Sequence, residues 1–212
     1  TKILTDGNIE VGAATLDKKV ADFALENSLT GLEFLSCIPG TIGGAIIMNS
    51  GCYGYDISQS VISIEALTFN GELKTFDSNE IKFFYRGSNL NKDLIILSVK
   101  LRGTKGNKEL IQKRQIELLN QKKKSQPSKI KTGGSTFKNP ESKKAWELIK
   151  KSDCSNLKIG GARLSEMHCN FFLNDGKATS SDIEMLIEKV RNTVFLKTGV
   201  KLDLEIKIIG KK

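Results

Sequence analysis

The stretch KTGGSTFKNPE, residues 131–141, sets a single hydroxyl, Ser135, directly behind Gly133 and Gly134, with Lys138 and Asn139 close after it. Glycines permit a sharp bend and keep bulk away from that hydroxyl. A serine so placed can serve as nucleophile or proton donor when a partner tunes it, and can equally be a serine in a turn. No GxSxG elbow is present. The only histidine, His168, lies in SEMHCNFFLN among apolar residues, the setting of a core histidine, so a Ser–His hydrolase is disfavoured. A second candidate is Arg86 in FFYRGS, residues 83–88. Its planar fork of donors suits a carboxylate or phosphate, and aromatic neighbours are expected to hold it partly out of water; a structural ion pair is the plainer alternative. A third is Glu205 in LDLEIKIIG. Strand alternation puts Leu202, Leu204 and Ile206 on one face and Asp203, Glu205 and Lys207 on the other, where a surface carboxylate is the plain reading. A fourth is IPGTIGGAIIMNSGCYG, glycine-rich and poor in charge. Its glycines let backbone N–H groups come close to a diphosphate, or serve tight turns, but the spacing is neither GxGxxG nor a Walker A loop.

These groups need elements to hold them. IEVGAATLDKKVADFALENSLTG reads as a strand, a turn and a helix, capped by Thr15 and with Gly31 past its end. VISIEALTFNGELKTF alternates as two strands around Asn70-Gly71, a hairpin signal, and LIILSVKLRG is another strand. From about Thr104 the texture changes. NKELIQKRQIELLNQKKK predicts a polar helix with Leu110, Ile111, Leu118 and Leu119 as its apolar face. SKKAWELIKKS predicts a short helix started by Ser142. SSDIEMLIEKVRNTVFLKTG predicts an amphipathic helix with Ile183, Leu186, Ile187, Val190 and Val194 on one face, Ser181 and Glu184 at capping-box spacing and Gly199 at its end. VKLDLEIKIIG predicts a final strand. The expected division is two lobes, residues 1–103 and 104–212.

The chain has 212 residues, 39% of them hydrophobic, and a formal charge of +9. Residues 1–100 hold 8 Lys+Arg and 12 Asp+Glu, and residues 101–212 hold 25 and 12, so the halves carry −4 and +13. A basic second half suits an anionic ligand, whether nucleic acid or a phosphorylated small molecule, or is a solvated lysine surface. No apolar run nears the ~20 residues that span a bilayer, and Thr1 opens no signal peptide, so a soluble chain off the membrane is expected. Cys37, Cys52, Cys154 and Cys169 form no CxxC pair, which argues against zinc; no metal is expected. They read as small buried residues, and with no sign of an oxidising compartment the cytoplasm is the expected location.

The order and spacing of the motifs say more than each alone. GLEFLSCIPGTIGGAIIMNSGCYG, then YRGS, QP…GGSTFKNP, AWELI, GGARLSEMHCNFFLN and GVKLDLEIKIIG together resemble the UDP-N-acetylenolpyruvoylglucosamine reductase (MurB) family, flavoenzymes of bacterial peptidoglycan synthesis. The resemblance runs from about Ile9 to Gly210. The short gap between YRGS and GGSTF is similar to the type II branch.

The resemblance implies an α+β fold: the second lobe of a vanillyl-alcohol-oxidase (VAO/PCMH) type FAD-binding domain, then a C-terminal α+β domain for a UDP-sugar. It implies FAD and NADPH as cofactors and UDP-N-acetylglucosamine-enolpyruvate as the substrate reduced to UDP-N-acetylmuramate. By residue, Ser135 matches the serine that protonates the substrate carbon, and Arg86 and Glu205 match the pair that stabilises the enol-like intermediate. Tyr85, Lys138 and Asn139 match substrate-binding positions. Ile38, Pro39, Gly40, Thr41, Gly43, Gly44, Asn49, Gly51 and Tyr53 match the segment along the flavin. The family also has an N-terminal lobe, with a loop for the FAD diphosphate, ahead of the point where this sequence starts. The alternative to an active reductase is therefore a flavin-free fragment, inactive unless the lobe is supplied. Cys37 and Cys52 stand where small residues are expected. The protein is expected to be a monomer without nucleic-acid or membrane partners: no RNP-like aromatic run or helix-turn-helix spacing is present. The rival within the fold, an oxidase with flavin attached at His168 or Cys169, lacks the YRGS and GGSTFKNP pair.

Overall fold

The computed structural model describes residues 1–90, 93–128 and 130–210. Its secondary structure is mixed α+β, in two compact units, Thr1–Lys122 and Lys123–Lys212.

The first unit is built on a five-stranded antiparallel sheet in the order Lys2–Ile3, Ile9–Gly12, Leu94–Leu101, Val61–Thr68, Leu73–Asp77. The Asn70-Gly71 signal forms the expected hairpin, with Gly71 at φ 84. The first helix, α1 (Asp17–Glu26), buries Val20, Ala21 and Ala24. It has no side-chain cap: Leu16, not Thr15, holds the N-cap position; its C-cap is Asn27, and Gly31 lies past the end as expected. A short helix, α2 (Ile42–Met48), follows a 3₁₀ turn at Glu33–Cys37. Ile9, Val11, Leu35, Ile42, Ile46, Ile64 and Val99 make the core.

Helix α3 (Lys108–Ser125) begins in the first unit, and the contact boundary falls at Lys122, a helix length beyond the expected division at 103/104. The reason is its buried face. Ile111, Gln115 and Leu118 follow at helical spacing, and Gln115 Nε2 donates to the Ala21 carbonyl at 2.9 Å. Leu110 and Leu119, predicted on that face, are exposed; a satisfied polar side chain takes the place expected of a leucine.

The second unit has a four-stranded antiparallel sheet in the order Lys131–Ser135, Phe171–Asn174, Ala162–Leu164, Lys158–Ile159. Helices α4 (Ala145–Lys151) and α5 (Ser180–Thr198) contribute to its core. Leu186, Ile187, Val190 and Val194 are buried as predicted, and Gly199 closes α5 at φ 71. The capping box is Thr179 with Asp182, not Ser181 with Glu184. Ser142 does not start α4; Asn139 Oδ1 accepts the first helical N–H, that of Ala145, at 3.0 Å. The predicted final strand is reduced to one bridge, Leu204 with Phe137.

Candidate active site

In the first unit, Phe83–Phe84 pairs with Gly87–Ser88, leaving Tyr85 and Arg86 as the tip of a tight hairpin. Arg86 has φ 55, a left-handed conformation costing a non-glycine residue about 1–2 kcal/mol. Surrounding bonds hold it there. Arg86 Nη2 donates to the Gly51 carbonyl at 3.1 Å, and its guanidinium carbon lies 5.0 Å from the Tyr85 ring centroid. The hairpin is tied to the end of α2: Asn49 Nδ2 donates to the Phe84 carbonyl at 3.2 Å and the Ser88 hydroxyl to that of Ile47 at 3.4 Å. A Cβ on Gly87 would fall 2.2 Å from Phe84 Cε2, so any side chain there would displace the exposed Phe84 ring. A left-handed arginine held by several independent bonds is the kind of strain that collects at functional sites. It is partly buried, as predicted, while Phe84 and Tyr85 are exposed.

The glycine-rich segment divides by role. A Cβ on Gly43 would press on Ala13, on Gly40 it would meet the Asp17 carboxylate at 3.0 Å, and on Gly51 it would overlap the Tyr55 carbonyl. These three serve close packing. Gly44 is exposed, and the nearest atom to a Cβ there is Thr41 Oγ1 at 3.7 Å. Asn49 is buried and committed to Phe84 and Ser58. Pro39 is exposed, and Ile38, Thr41 and Tyr53 are partly buried. The partly open set of Ile38, Pro39, Thr41 and Gly44 carries no charge and little bulk, which fits the flat ring and amide edge of a flavin.

In the second unit the two glycines form a β-bulge. Thr132 pairs with Leu173 and Ser135 with Phe171, so this strand carries one residue more than its partner between those points. Gly134 absorbs it at φ 86, a conformation that glycine adopts at little cost. The bulge re-aims the chain at Ser135. Just beyond it, the C-terminal segment docks: Glu205 N–H donates to the Thr136 carbonyl at 2.9 Å and Lys138 N–H to the Asp203 carbonyl at 2.8 Å. Leu202 is buried and Leu204 and Ile206 pack on the core, as the alternation predicted. Glu205 is partly buried, whereas Asp203 and Lys207 are exposed. Glu205 is thus bonded through its backbone to the residue that follows Ser135.

Sequence reasoning missed Asn170. Buried at 3% exposure, it accepts from Phe137 N–H at 3.0 Å through Oδ1, donates from Nδ2 to the Phe137 carbonyl at 2.8 Å, and its own carbonyl takes Thr136 N–H at 2.8 Å. Its place among apolar residues in HCNFFLN was the one available signal. His168 is packed between Trp146 and Phe171, with burial holding its pKa below the ordinary histidine value. Among the described residues no group of three or more His, Cys, Asp or Glu could hold a metal, and no helix is long and apolar enough to cross a membrane.

An α+β fold whose residues 3–77 match the description "FAD binding domain" defines a flavin-binding class of protein. Residues 126–209 match "UDP-N-acetylenolpyruvoylglucosamine reductase, C-terminal domain". The UDP-N-acetylenolpyruvoylglucosamine reductase of Pelagibacter ubique (strain HTCC1062) is 47% identical over 210 residues, which cover 98% of this chain and 70% of the relative. That of Rickettsia akari (strain Hartford) is 48% identical over 206 residues, 97% of this chain and 70% of the relative. The crystal structure of UDP-N-acetylenolpyruvylglucosamine reductase from Thermus caldophilus superposes with a TM-score of 0.85 at 32% identity, over 94% of this chain and 71% of that one. The chain belongs to the UDP-N-acetylenolpyruvoylglucosamine reductase family, flavin-dependent oxidoreductases of peptidoglycan synthesis, and spans about 70% of the length of these relatives.

Proposed function

We propose that this chain carries the catalytic groups for reducing UDP-N-acetylglucosamine-enolpyruvate to UDP-N-acetylmuramate, with NADPH as the electron source. The observation that carries the reading is the bulge at Gly133-Gly134 that presents Ser135 one residue from the Thr136–Glu205 bond. When bound, FAD would supply the hydride chemistry between NADPH and the substrate double bond. Ile38, Pro39, Thr41 and Gly44 offer the open, uncharged surface for the ring, and Gly40, Gly43, Asn49, Gly51 and Tyr53 hold that surface in shape.

The remaining work falls to side chains. Hydride arrival leaves an electron pair beside the substrate carboxylate. The Arg86 guanidinium takes up that charge through a donor fork already fixed by the hairpin and Gly51, so little reorganisation is needed. Glu205, whose backbone N–H is bonded to the Thr136 carbonyl, is the acidic member of the set that stabilises the same enol-like species. The Ser135 hydroxyl then gives its proton to the substrate carbon; a free hydroxyl is a weak acid, so its surroundings or a water chain must feed it. Lys138 and the lysine-rich connector attract the diphosphate, and Tyr85 and Asn139 contact the substrate. Asn139 already caps α4, which fixes its position for that contact. On this reading the protein is a cytoplasmic monomer that works without nucleic acid or membrane.

The test is to supply FAD, NADPH and the enolpyruvyl substrate and follow NADPH oxidation together with product mass. Substrate-dependent oxidation with formation of UDP-N-acetylmuramate is expected. NADPH oxidation that yields no saturated product overturns the reading.

A further inference from the structure

Residues 40–43 are zipped to residues 13–17 through their backbones. Asp17 N–H donates to the Gly40 carbonyl at 3.0 Å, Ile42 N–H to that of Thr15 at 3.0 Å and Gly43 N–H to that of Ala13 at 2.9 Å, and Leu16 forms a β-bridge with Thr41. The Asp17 side chain sits at one end of this zip. It is fully buried, and neither carboxyl oxygen has a hydrogen-bond partner. Its Oδ2 lies 3.0 Å from the point where a Cβ on Gly40 would stand. The acid therefore packs against the Gly40 backbone, in room that only the lack of a side chain provides.

A buried carboxyl without a donor is costly, and far more so when it carries charge. The surrounding elements offer it no countercharge among the described residues. Residues 12–16 and 38–44, α2 and the strand Leu29–Thr30 hold no titratable side chain. On α1 itself Lys18, Lys19, Asp22 and Glu26 are exposed. Glu10 of the strand Ile9–Gly12 pairs with Lys2, and Glu33 of the 3₁₀ turn accepts from Thr30 and Gly31. Cys37 in that turn is buried, and Lys122 of α3 donates to its carbonyl. Burial alone therefore governs the acidity of Asp17 and pushes its pKa up.

We propose that Asp17 is a positioning residue for the cofactor segment: its uncharged carboxyl fills the space against Gly40 and keeps residues 40–43 bonded to Ala13, Thr15 and Asp17. Once ionised, the carboxyl finds no donor in the closed zip and reaches water only when the zip parts at Gly40. Loss of the proton therefore favours local opening of residues 40–43. Asparagine has nearly the same shape and no charge, so it keeps the zip closed at every pH. The bearing on the cofactor rests on the reading of residues 38–44 as the flavin segment, whereas the contact between Asp17 and Gly40 does not.

The experiment follows amide hydrogen exchange at Ile42 and Gly43 in the full chain and in Asp17→Asn, corrected for the intrinsic effect of pH. In the wild type the opening constant is expected to rise about tenfold per pH unit from about pH 4 and to level off near pH 7. Both amides are expected to exchange faster than the strand Leu94–Leu101, and the Asp17→Asn profile is expected to be flat. A flat wild-type profile, or a slope that survives in Asp17→Asn, overturns the proposal. So does exchange at Ile42 and Gly43 no faster than in that strand, because the proton then acts on the whole unit. FAD titrations over the same range separate the contact from the flavin reading. Affinity that weakens as pH rises, in the wild type only, is expected. Exchange that follows the proton while FAD affinity does not overturns the cofactor role of residues 38–44 and leaves the Asp17 contact standing.

Discussion

The backbone N–H of Glu205 is bonded to the carbonyl of Thr136 at 2.9 Å, one residue past Ser135. The C-terminal segment is thereby anchored beside the bulge, and Asn170 locks the same stretch from the other side through Phe137 and Thr136. Asn170→Ala leaves a buried N–H and a buried carbonyl of Phe137 without partners, each costing about 1–3 kcal/mol. The variant is expected to unfold at lower denaturant and to lose kcat more than KM, because Ser135 is misplaced rather than removed. Denaturant titration with steady-state kinetics checks both, and a stable variant with normal kcat would remove Asn170 from the account.

Arg86 separates backbone strain from chemistry. Both Arg86→Ala and Arg86→Gly delete the guanidinium and its bond to Gly51, but only glycine accepts φ 55 without strain. The glycine variant is expected to be the more stable by about 1 kcal/mol, and product formation is expected to be lost in both. Equal stability of the two variants would show that the hairpin relaxes.

Asp17 makes stability depend on pH. It is fully buried, neither carboxyl oxygen has a partner, and burial raises its pKa from 3.8 to about 7. The folded value lies above the unfolded one, so the folded state binds the proton more tightly. The stabilisation is complete below about pH 4 and is lost as pH rises to about 7, by up to ~4 kcal/mol. Asp17→Asn is expected to flatten this slope and to be the more stable at about pH 8. Unfolding midpoints across that range check it, and a wild-type slope unchanged in the variant would contradict it.

The α+β class and the main elements were legible where one signal dominated. The α5 stripe and Gly199 defined that helix, and Asn70-Gly71 defined its hairpin. Its cap was misplaced by two residues because ATSSD offers several hydroxyls with an acid nearby, and only the folded chain selects Thr179 and Asp182. The last strand failed for another reason. Alternation reports which side chains meet the core, and Leu202, Leu204 and Ile206 do, but it does not report whether a neighbour supplies a ladder. Phe137 supplies one bridge. The α3 face was misjudged because Gln115 finds a buried carbonyl that no local pattern reveals. At the site, Ser135 and its glycines were readable as a bend, whereas the left-handed Arg86 and the clasp of Asn170 arise from contacts far apart in sequence.

The role given to Ser135 can be isolated by splitting the reaction in time. In Ser135→Ala loaded with FAD, NADPH is expected to bleach the flavin at the wild-type rate, while reoxidation by the enolpyruvyl substrate falls by about 10²–10⁴-fold. Stopped-flow absorbance of the two half-reactions reads both rates in one enzyme. Slow bleaching with normal reoxidation, or two unchanged rates, would contradict Ser135 as the proton donor.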